Sequence, residues 1–323
     1  MKYSVITPTY NSYVFMRHFF AFVDRQNRED VEFIIVDDCS TDNTYSALAE
    51  YVARSSKKML LMKNSRNSGP GISRNVGMKE AKGEWIVFLD SDDGLCDDFF
   101  EQLDGVIDRK KPDFVLYDSN VYSASGKPLS TSATVYSKAE GYLSVEETIA
   151  FAIPGIRKCF KSSLLQNGKI LFTEQRRGED FIFYTTLLSQ NPDAVVYYRK
   201  EPFYRIYQRK NSLSRGEENF NIMSSIFEYL YGVVPERYHD ALKTASVRLL
   251  LYGGVLQMAN NGDKTSEIKR FILSYEKTNP RWYRSIGYKV LGFSKKVMLR
   301  FVRYRMILAV RLFAKIHRRL VTR

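Results

Sequence analysis

Three carboxylates within four residues, Asp90, Asp92 and Asp93, close the short apolar run Trp85–Leu89. Oxygen ligands on a rigid base suit a hard divalent cation, which commonly enters with substrate phosphates. The same acids also suit a plain turn in which Asp92 and Asp93 cap the next helix. A second acidic pair, Glu179-Asp180, follows Gly178 and opens an apolar helix. A carboxylate placed there can serve as a general base; it equally fits a first helical turn favoured by the macrodipole. Asp38 lies just past Val31–Val36, where a lone carboxylate can accept hydrogen bonds from a base or a ribose. In Asn67-Ser68-Gly69-Pro70-Gly71-Ile72-Ser73-Arg74-Asn75 two glycines let the backbone approach a ligand closely. This loop runs into a helix N-terminus, a natural phosphate site, and Arg74 one turn in adds a charge-assisted contact. The glycine spacing matches neither the dinucleotide fingerprint nor the P-loop.

The elements that hold these residues alternate regularly. Strand patterns at Tyr3–Thr7, Val31–Val36, Met59–Lys63 and Trp85–Leu89 are separated by helical patterns at Tyr13–Asp24, 43–54 and Ile72–Ala81. Such alternation predicts an α/β fold with a doubly wound, mostly parallel sheet and right-handed crossovers. It puts the acids at the C-terminal strand ends, where open α/β sheets bind ligands. Phe114–Asn120 reads as a further strand, and Glu217–Lys277 turns helical. At 323 residues the chain can bury a full core with an appendage. Cys39, Cys96 and Cys159 show neither metal-ligand spacing nor a disulfide framework, which points to a reducing cytosol. The first residues run straight into a strand, so no signal peptide is expected, and no run of 18 apolar residues spans a bilayer.

The motifs Pro8-Thr9-Tyr10-Asn11, Val36-Asp37-Asp38-Cys39-Ser40-Thr41-Asp42, Gly69-Pro70-Gly71-Ile72-Ser73-Arg74-Asn75-Val76-Gly77 and Asp90-Ser91-Asp92-Asp93 stand in the order and spacing of family 2 glycosyltransferases. The resemblance covers roughly residues 3–215 and rests on four motifs rather than one. It implies the GT-A fold, a Rossmann-like sheet, and inverting transfer of the kind found in capsule, O-antigen, lipopolysaccharide and teichoic-acid synthesis. By it, Thr9 and Asp38 hold the uracil of a UDP-sugar, with Asn67 and Arg74 near the nucleotide. Asp90 then faces ribose and metal, Asp92 ligates Mn²⁺ or Mg²⁺ against the diphosphate, Asp180 is the base and Glu179 a positioning group. Ile153-Pro154-Gly155-Ile156-Arg157-Lys158 falls on the expected acceptor side. The segment Tyr204–Ser214 resembles the one that closes the family's site. Arg205, Arg209 and Lys210 there suit either the diphosphate or a solvated loop. Many relatives carry a histidine in this segment; this chain has none, so a third metal ligand is missing from it.

The net charge of +13 has a definite address. Residues 281–323 carry 13 of the 49 lysines and arginines and none of the 36 acids, so residues 1–280 balance 36 basic against 36 acidic side chains. Three regions follow: 1–215 as the nucleotide-sugar-binding and catalytic domain, 216–280 as a helical extension, and 281–323 as a basic amphipathic helix. In the last, Met298, Val302, Met306, Ala309, Phe313, Ile316 and Leu320 recur at helical spacing, with cations opposite. Such a helix suits an anionic membrane surface, or packing on the body with its cations in water. A neutral body argues against nucleic acid. The expectation is a metal-dependent enzyme peripheral to the cytoplasmic face of the plasma membrane. It would move a sugar from a UDP donor to a glycan or lipid-linked oligosaccharide acceptor. The alternatives are a nucleotidyltransferase-like enzyme, or a non-catalytic basic-tailed scaffold or nucleic-acid binder.

Overall fold

The computed structural model describes residues 1–135, 138–166, 168–208 and 219–321. Strands β1 (Tyr3–Thr9), β2 (Val31–Asp37), β3 (Met59–Lys63) and β4 (Trp85–Phe88) alternate with helices α1 (Arg17–Arg25), α2 (Thr44–Arg54) and α3 (Pro70–Glu80). Every residue of β1 and β4 is buried, as a strand covered on both faces requires. β1 pairs in parallel with β2 and with β4, and β2 with β3, which gives the order β3-β2-β1-β4. The chain therefore reverses direction of growth at β1, and the crevice between the β1 and β4 ends is a topological switch point.

Past β4 the sheet becomes mixed. The elements there are β5 (Gly94–Leu95), α4 (Phe99–Lys110), β6 (Phe114–Tyr122), β7 (Pro128–Ser132), β8 (Gly141–Leu143), α5 (Val145–Phe151), β9 (Lys158–Lys161), α6 (Glu179–Ser189) and β10 (Val196–Tyr207). β9 inserts antiparallel between β4 and β6, and β6 pairs in parallel with β10. The path is β3-β2-β1-β4-β9-β6-β10-β5, with β7 on β6 and β8 on β10. The α/β class is the expected one. What the alternation did not reveal is β9: four residues flanked by lysines carry too little apolar pattern to announce a strand.

The chain divides into two compact units, residues 1–148 with 152–212, and residues 149–151 with 213–323. The first holds the sheet. The second is helical: α7 (Asn219–Val233), α8 (His239–Ser246), α9 (Gly253–Asn261), α10 (Thr265–Thr278), α11 (Ile286–Lys289), α12 (Phe293–Arg303) and α13 (Ile307–Val321). Its core includes Leu230, Leu242, Leu251, Val255, Ile268 and Ile272.

The single apolar face expected over 298–320 needs correction. The helix ends at Tyr304, and Arg305 takes a left-handed conformation with φ 55°. Met306 N donates to Phe301 O at 2.9 Å and Arg305 N to Val302 O at 3.0 Å, the paired bonds of a Schellman motif. This stop shifts the helical phase. Met298, Leu299 and Val302 are buried on α12, but α13 buries Ile307, Val310 and Ala314, while Met306 and Ile316 are exposed. An arginine is an unusual occupant of that position; here its guanidinium pairs with Glu276 at 2.6 Å, a contact no local pattern announces. Among the described residues no helix is long and apolar enough to cross a membrane.

Candidate active site

The ends of β1 and β2 are laced together by side chains. Asn11 Oδ1 accepts from Thr41 N at 2.9 Å, and Asn11 N donates to Ser40 Oγ at 2.9 Å. Thr9 is buried; its carbonyl accepts from Asp38 N at 2.8 Å, and its hydroxyl lies 2.5 Å from Ser12 Oγ. Ser12 Oγ in turn lies 3.1 Å from Ser91 Oγ, which joins the β1 end to the acidic turn after β4.

Asp38, also buried, accepts from Asn64 Nδ2 at 2.8 Å and from the backbone of Ser68 and Gly69 at 2.9 and 2.7 Å. It thereby fixes the loop that launches α3. Two contacts of that loop were not visible in the sequence. Gly71 packs closely on protein: a Cβ there would meet Phe172 Cβ at 3.1 Å, Glu179 Cγ at 3.2 Å and Thr173 O at 3.2 Å. Asn67 accepts two hydrogen bonds from Arg176 Nη2, at 2.8 and 3.1 Å through Oδ1 and its carbonyl. The segment before α6 thus packs directly on the start of α3.

Arg74 sits at the centre of the constellation. Its Nη2 donates to Asp90 Oδ1 at 2.8 Å and its Nη1 to Glu179 Oε1 at 2.9 Å. The guanidinium is 3% exposed and lies over the Phe88 and Phe172 rings. Phe172 stacks on Phe183 at 4.0 Å, and both rings contact Phe88, so one aromatic cluster seats α6 against β4. The cation therefore ties the acid at the end of β4 to the acid that opens α6. Burial pushes the Glu179 carboxyl up, and Asp180 adds to this, while Arg74 opposes it.

The three acids after β4 are not equivalent. Asp93 turns inward, where its Oδ1 accepts from Tyr207 N at 2.9 Å, and Asp90 N donates to Tyr204 Oη at 3.1 Å. The end of β10, held by β5 pairing at Tyr204 and Arg205, is thereby anchored to the acidic turn. Burial raises the Asp93 carboxyl well above the usual carboxylate range, and the charges of Asp92 and Asp90 add to the shift. Asp90 and Asp92 remain half-buried at the strand end. No group of three or more His, Cys, Asp or Glu side chains among the described residues is arranged to hold a metal. What the turn does offer is two carboxylates in a crowded negative field, a donor set that fits a hard cation completed by phosphate oxygens.

Asp180 is buried on the first turn of α6, and its Oδ2 accepts from Gly155 N. The Ile153–Lys158 segment, expected on the acceptor side, puts its Gly155 N–H against the candidate base. Arg205 is occupied by Asp97 at 3.2 Å, whereas Arg209 and Lys210 lie outside the described residues. The sequence 204–214 holds no histidine, but one that no local motif marks lies against its Tyr207: the His18 ring stacks there with centroids 3.4 Å apart.

Comparison with known proteins places this geometry in context. The family model described as Glycosyl transferase family 2 matches residues 4–167. Poly(ribitol-phosphate) beta-N-acetylglucosaminyltransferase TarS of Staphylococcus aureus is 25% identical over 300 residues, covering 89% of this chain and 49% of TarS. TarP of the same species, which bears the same enzyme name, is 28% identical over 294 residues, covering 86% of this chain and 88% of TarP. This chain thus spans about half the length of TarS. A 1–349 fragment of S. aureus TarS solved with UDP superposes with a TM-score of 0.67 at 21% identity, covering 99% of this chain and 92% of that one. The same fragment has been solved with UDP-GlcNAc, at a TM-score of 0.66. At that identity the likeness shows the fold.

Proposed function

The chain belongs to glycosyl transferase family 2, and from that premise we propose that it transfers a sugar from a UDP donor to a hydroxyl of a bacterial surface polymer, with inversion and with Asp180 as base. Family membership sets aside the nucleotidyltransferase and scaffold alternatives. The observation that carries the reading is the Asp90–Arg74–Glu179 bridge, which couples the acid at the switch point to the helix that bears Asp180. UDP-GlcNAc is the first donor to test and poly(ribitol phosphate) the first acceptor, because TarS and TarP are named for that transfer and TarS was solved with that donor.

Each residue then has a task. Asp38 and Thr9 form the floor under the base and ribose, and Asn67 borders the nucleotide. Mn²⁺ or Mg²⁺ held by Asp90 and Asp92 would neutralise charge growing on the leaving diphosphate. Asp180 takes the proton of the attacking hydroxyl from the face opposite the departing UDP. Glu179 keeps Arg74, and through it Asp90, in place.

The basic C-terminal helices supply a partner for the same reading. Leu308, Leu312 and Ile316 are spaced four apart on α13 and are 83%, 61% and 51% exposed. Lys315 and Arg319 are exposed on the same side of the helix. An apolar stripe set among cations complements anionic lipid, and we place the membrane contact there, on the inner face of the plasma membrane. It would bring the enzyme to a lipid-linked acceptor. Leu308→Glu/Leu312→Glu should abolish flotation with phosphatidylglycerol vesicles while leaving UDP binding intact. Unchanged flotation, or a loss of self-association instead, would overturn the lipid assignment.

The donor half is tested by calorimetric titration of UDP with Mn²⁺, Mg²⁺ or EDTA, on wild type and Asp92→Ala. Metal-dependent binding that Asp92→Ala removes is the expected result. If wild type binds no UDP with either metal, the donor assignment fails.

A further inference from the structure

Lys158 is a buried cation that the proposed reaction does not use. Its side chain leaves the first residue of β9, is 2% exposed, and forms no ion pair among the described residues. The ammonium donates to Ile153 O at 3.2 Å and to Gly155 O, and it lies 4.7 Å from the centroid of the Tyr184 ring on α6. Lys158 N also donates to Ile156 O at 2.6 Å. The turn 153–156 is therefore folded around the lysine that follows it.

The same turn meets Asp180. Gly155 N donates to Asp180 Oδ2, whereas Oδ1 makes no hydrogen bond among the described residues. Gly155 takes φ 136°, and a Cβ there would stand 3.4 Å from Arg157 Nε. That backbone conformation strains any L side chain, and the peptide is steered from both ends: by Lys158 through the carbonyl and by Asp180 through the N–H. A backbone donor fixed on one carboxylate oxygen sets the orientation of the group and leaves the other to receive a proton.

We propose that Lys158 is a positioning residue for Asp180, acting through the Ile153–Gly155 turn so that Oδ1 is the oxygen presented to the acceptor hydroxyl. This rests on the reading of Asp180 as base. A buried amine whose hydrogen bonds go to two carbonyls is costly, and burial lowers Lys158 to about 7. The fold retains it where its removal would free the turn.

The test is a double-mutant cycle on UDP release from UDP-GlcNAc with poly(ribitol phosphate) as acceptor. Lys158→Met should lower kcat at least tenfold with donor KM within twofold of wild type. In an Asp180→Asn background the same substitution should lower the residual rate no further, because its effect passes through the carboxylate. A general loss of packing would instead subtract equally in both backgrounds and overturn the proposal, as would full kcat in Lys158→Met. Should Lys158→Met fail to fold, Gly155→Ala makes the same cycle through the strained peptide. Wild-type turnover in Asp180→Asn, or a wild type that releases no UDP, overturns the underlying reading and this inference with it.

Discussion

Arg74 shows how a single side chain can hold a site together. A buried guanidinium shared by two acids stabilises little in net terms, because desolvation offsets much of the attraction. Removing it is another matter, since Asp90 and Glu179 would be left facing each other uncompensated. Arg74→Met should destabilise the fold by about 3–5 kcal/mol, read as a shift in the urea midpoint; Arg74→Met/Glu179→Gln should recover part of that. A midpoint unchanged by Arg74→Met would contradict the bridge. Lys158 adds a pH signature. Its folded value of about 7 lies below the usual 10.5, so between those limits the unfolded chain binds more protons. Lys158 therefore contributes stability that grows with pH across that window, and Lys158→Met should remove that contribution. The groups that face this amine are Asp180 on α6, which opposes the lowering, Arg157, which adds to it, and the Tyr184 ring, also on α6. Acids at strand ends and helix starts are visible as pattern, so residue types drew attention to Asp38, Asp90, Asp92, Glu179 and Asp180, but they fitted helix starts and turns equally well and only the family resemblance gave them roles. They could not show that Arg74 joins two of them, since residues 74, 90 and 179 meet only through the tertiary fold.

At the scale of elements, the decisive contact is the start of α3 against the segment that precedes α6. Gly71 allows it. Gly71→Ala would push Phe172 and Glu179 by a few tenths of an ångström, at about 1–3 kcal/mol for overpacking. The expected outcome is a lowered melting temperature with turnover falling more than UDP affinity; an alanine variant equal to wild type in both would refute the close approach. The alternating strands and helices up to β4 were legible because buried strands and amphipathic helices have distinct periods. β9 was not, being four residues long. Neither was the stop at Arg305, where tertiary pairing with Glu276 supports a left-handed residue that local rules assign to glycine. That one residue moved the exposed stripe of α13 to Leu308, Leu312 and Ile316.

Taken whole, the chain joins a nucleotide-sugar fold to a helical unit that carries its excess positive charge. The acidic and basic balance of residues 1–280 and the cationic stretch beyond were plain in composition; the second unit's packing was not, because its buried positions depend on which helices meet. In the proposed reaction Asp180 performs the proton transfer while the β4 acids serve the donor. One comparison tests it most directly: UDP-GlcNAc turnover against calorimetric donor affinity, for wild type and Asp180→Asn in the presence of Mn²⁺. A general base contributes about 10²–10⁴-fold, so turnover should fall by that factor with donor affinity within twofold of wild type. Undiminished turnover, or a loss accounted for by weaker donor binding alone, would contradict the account.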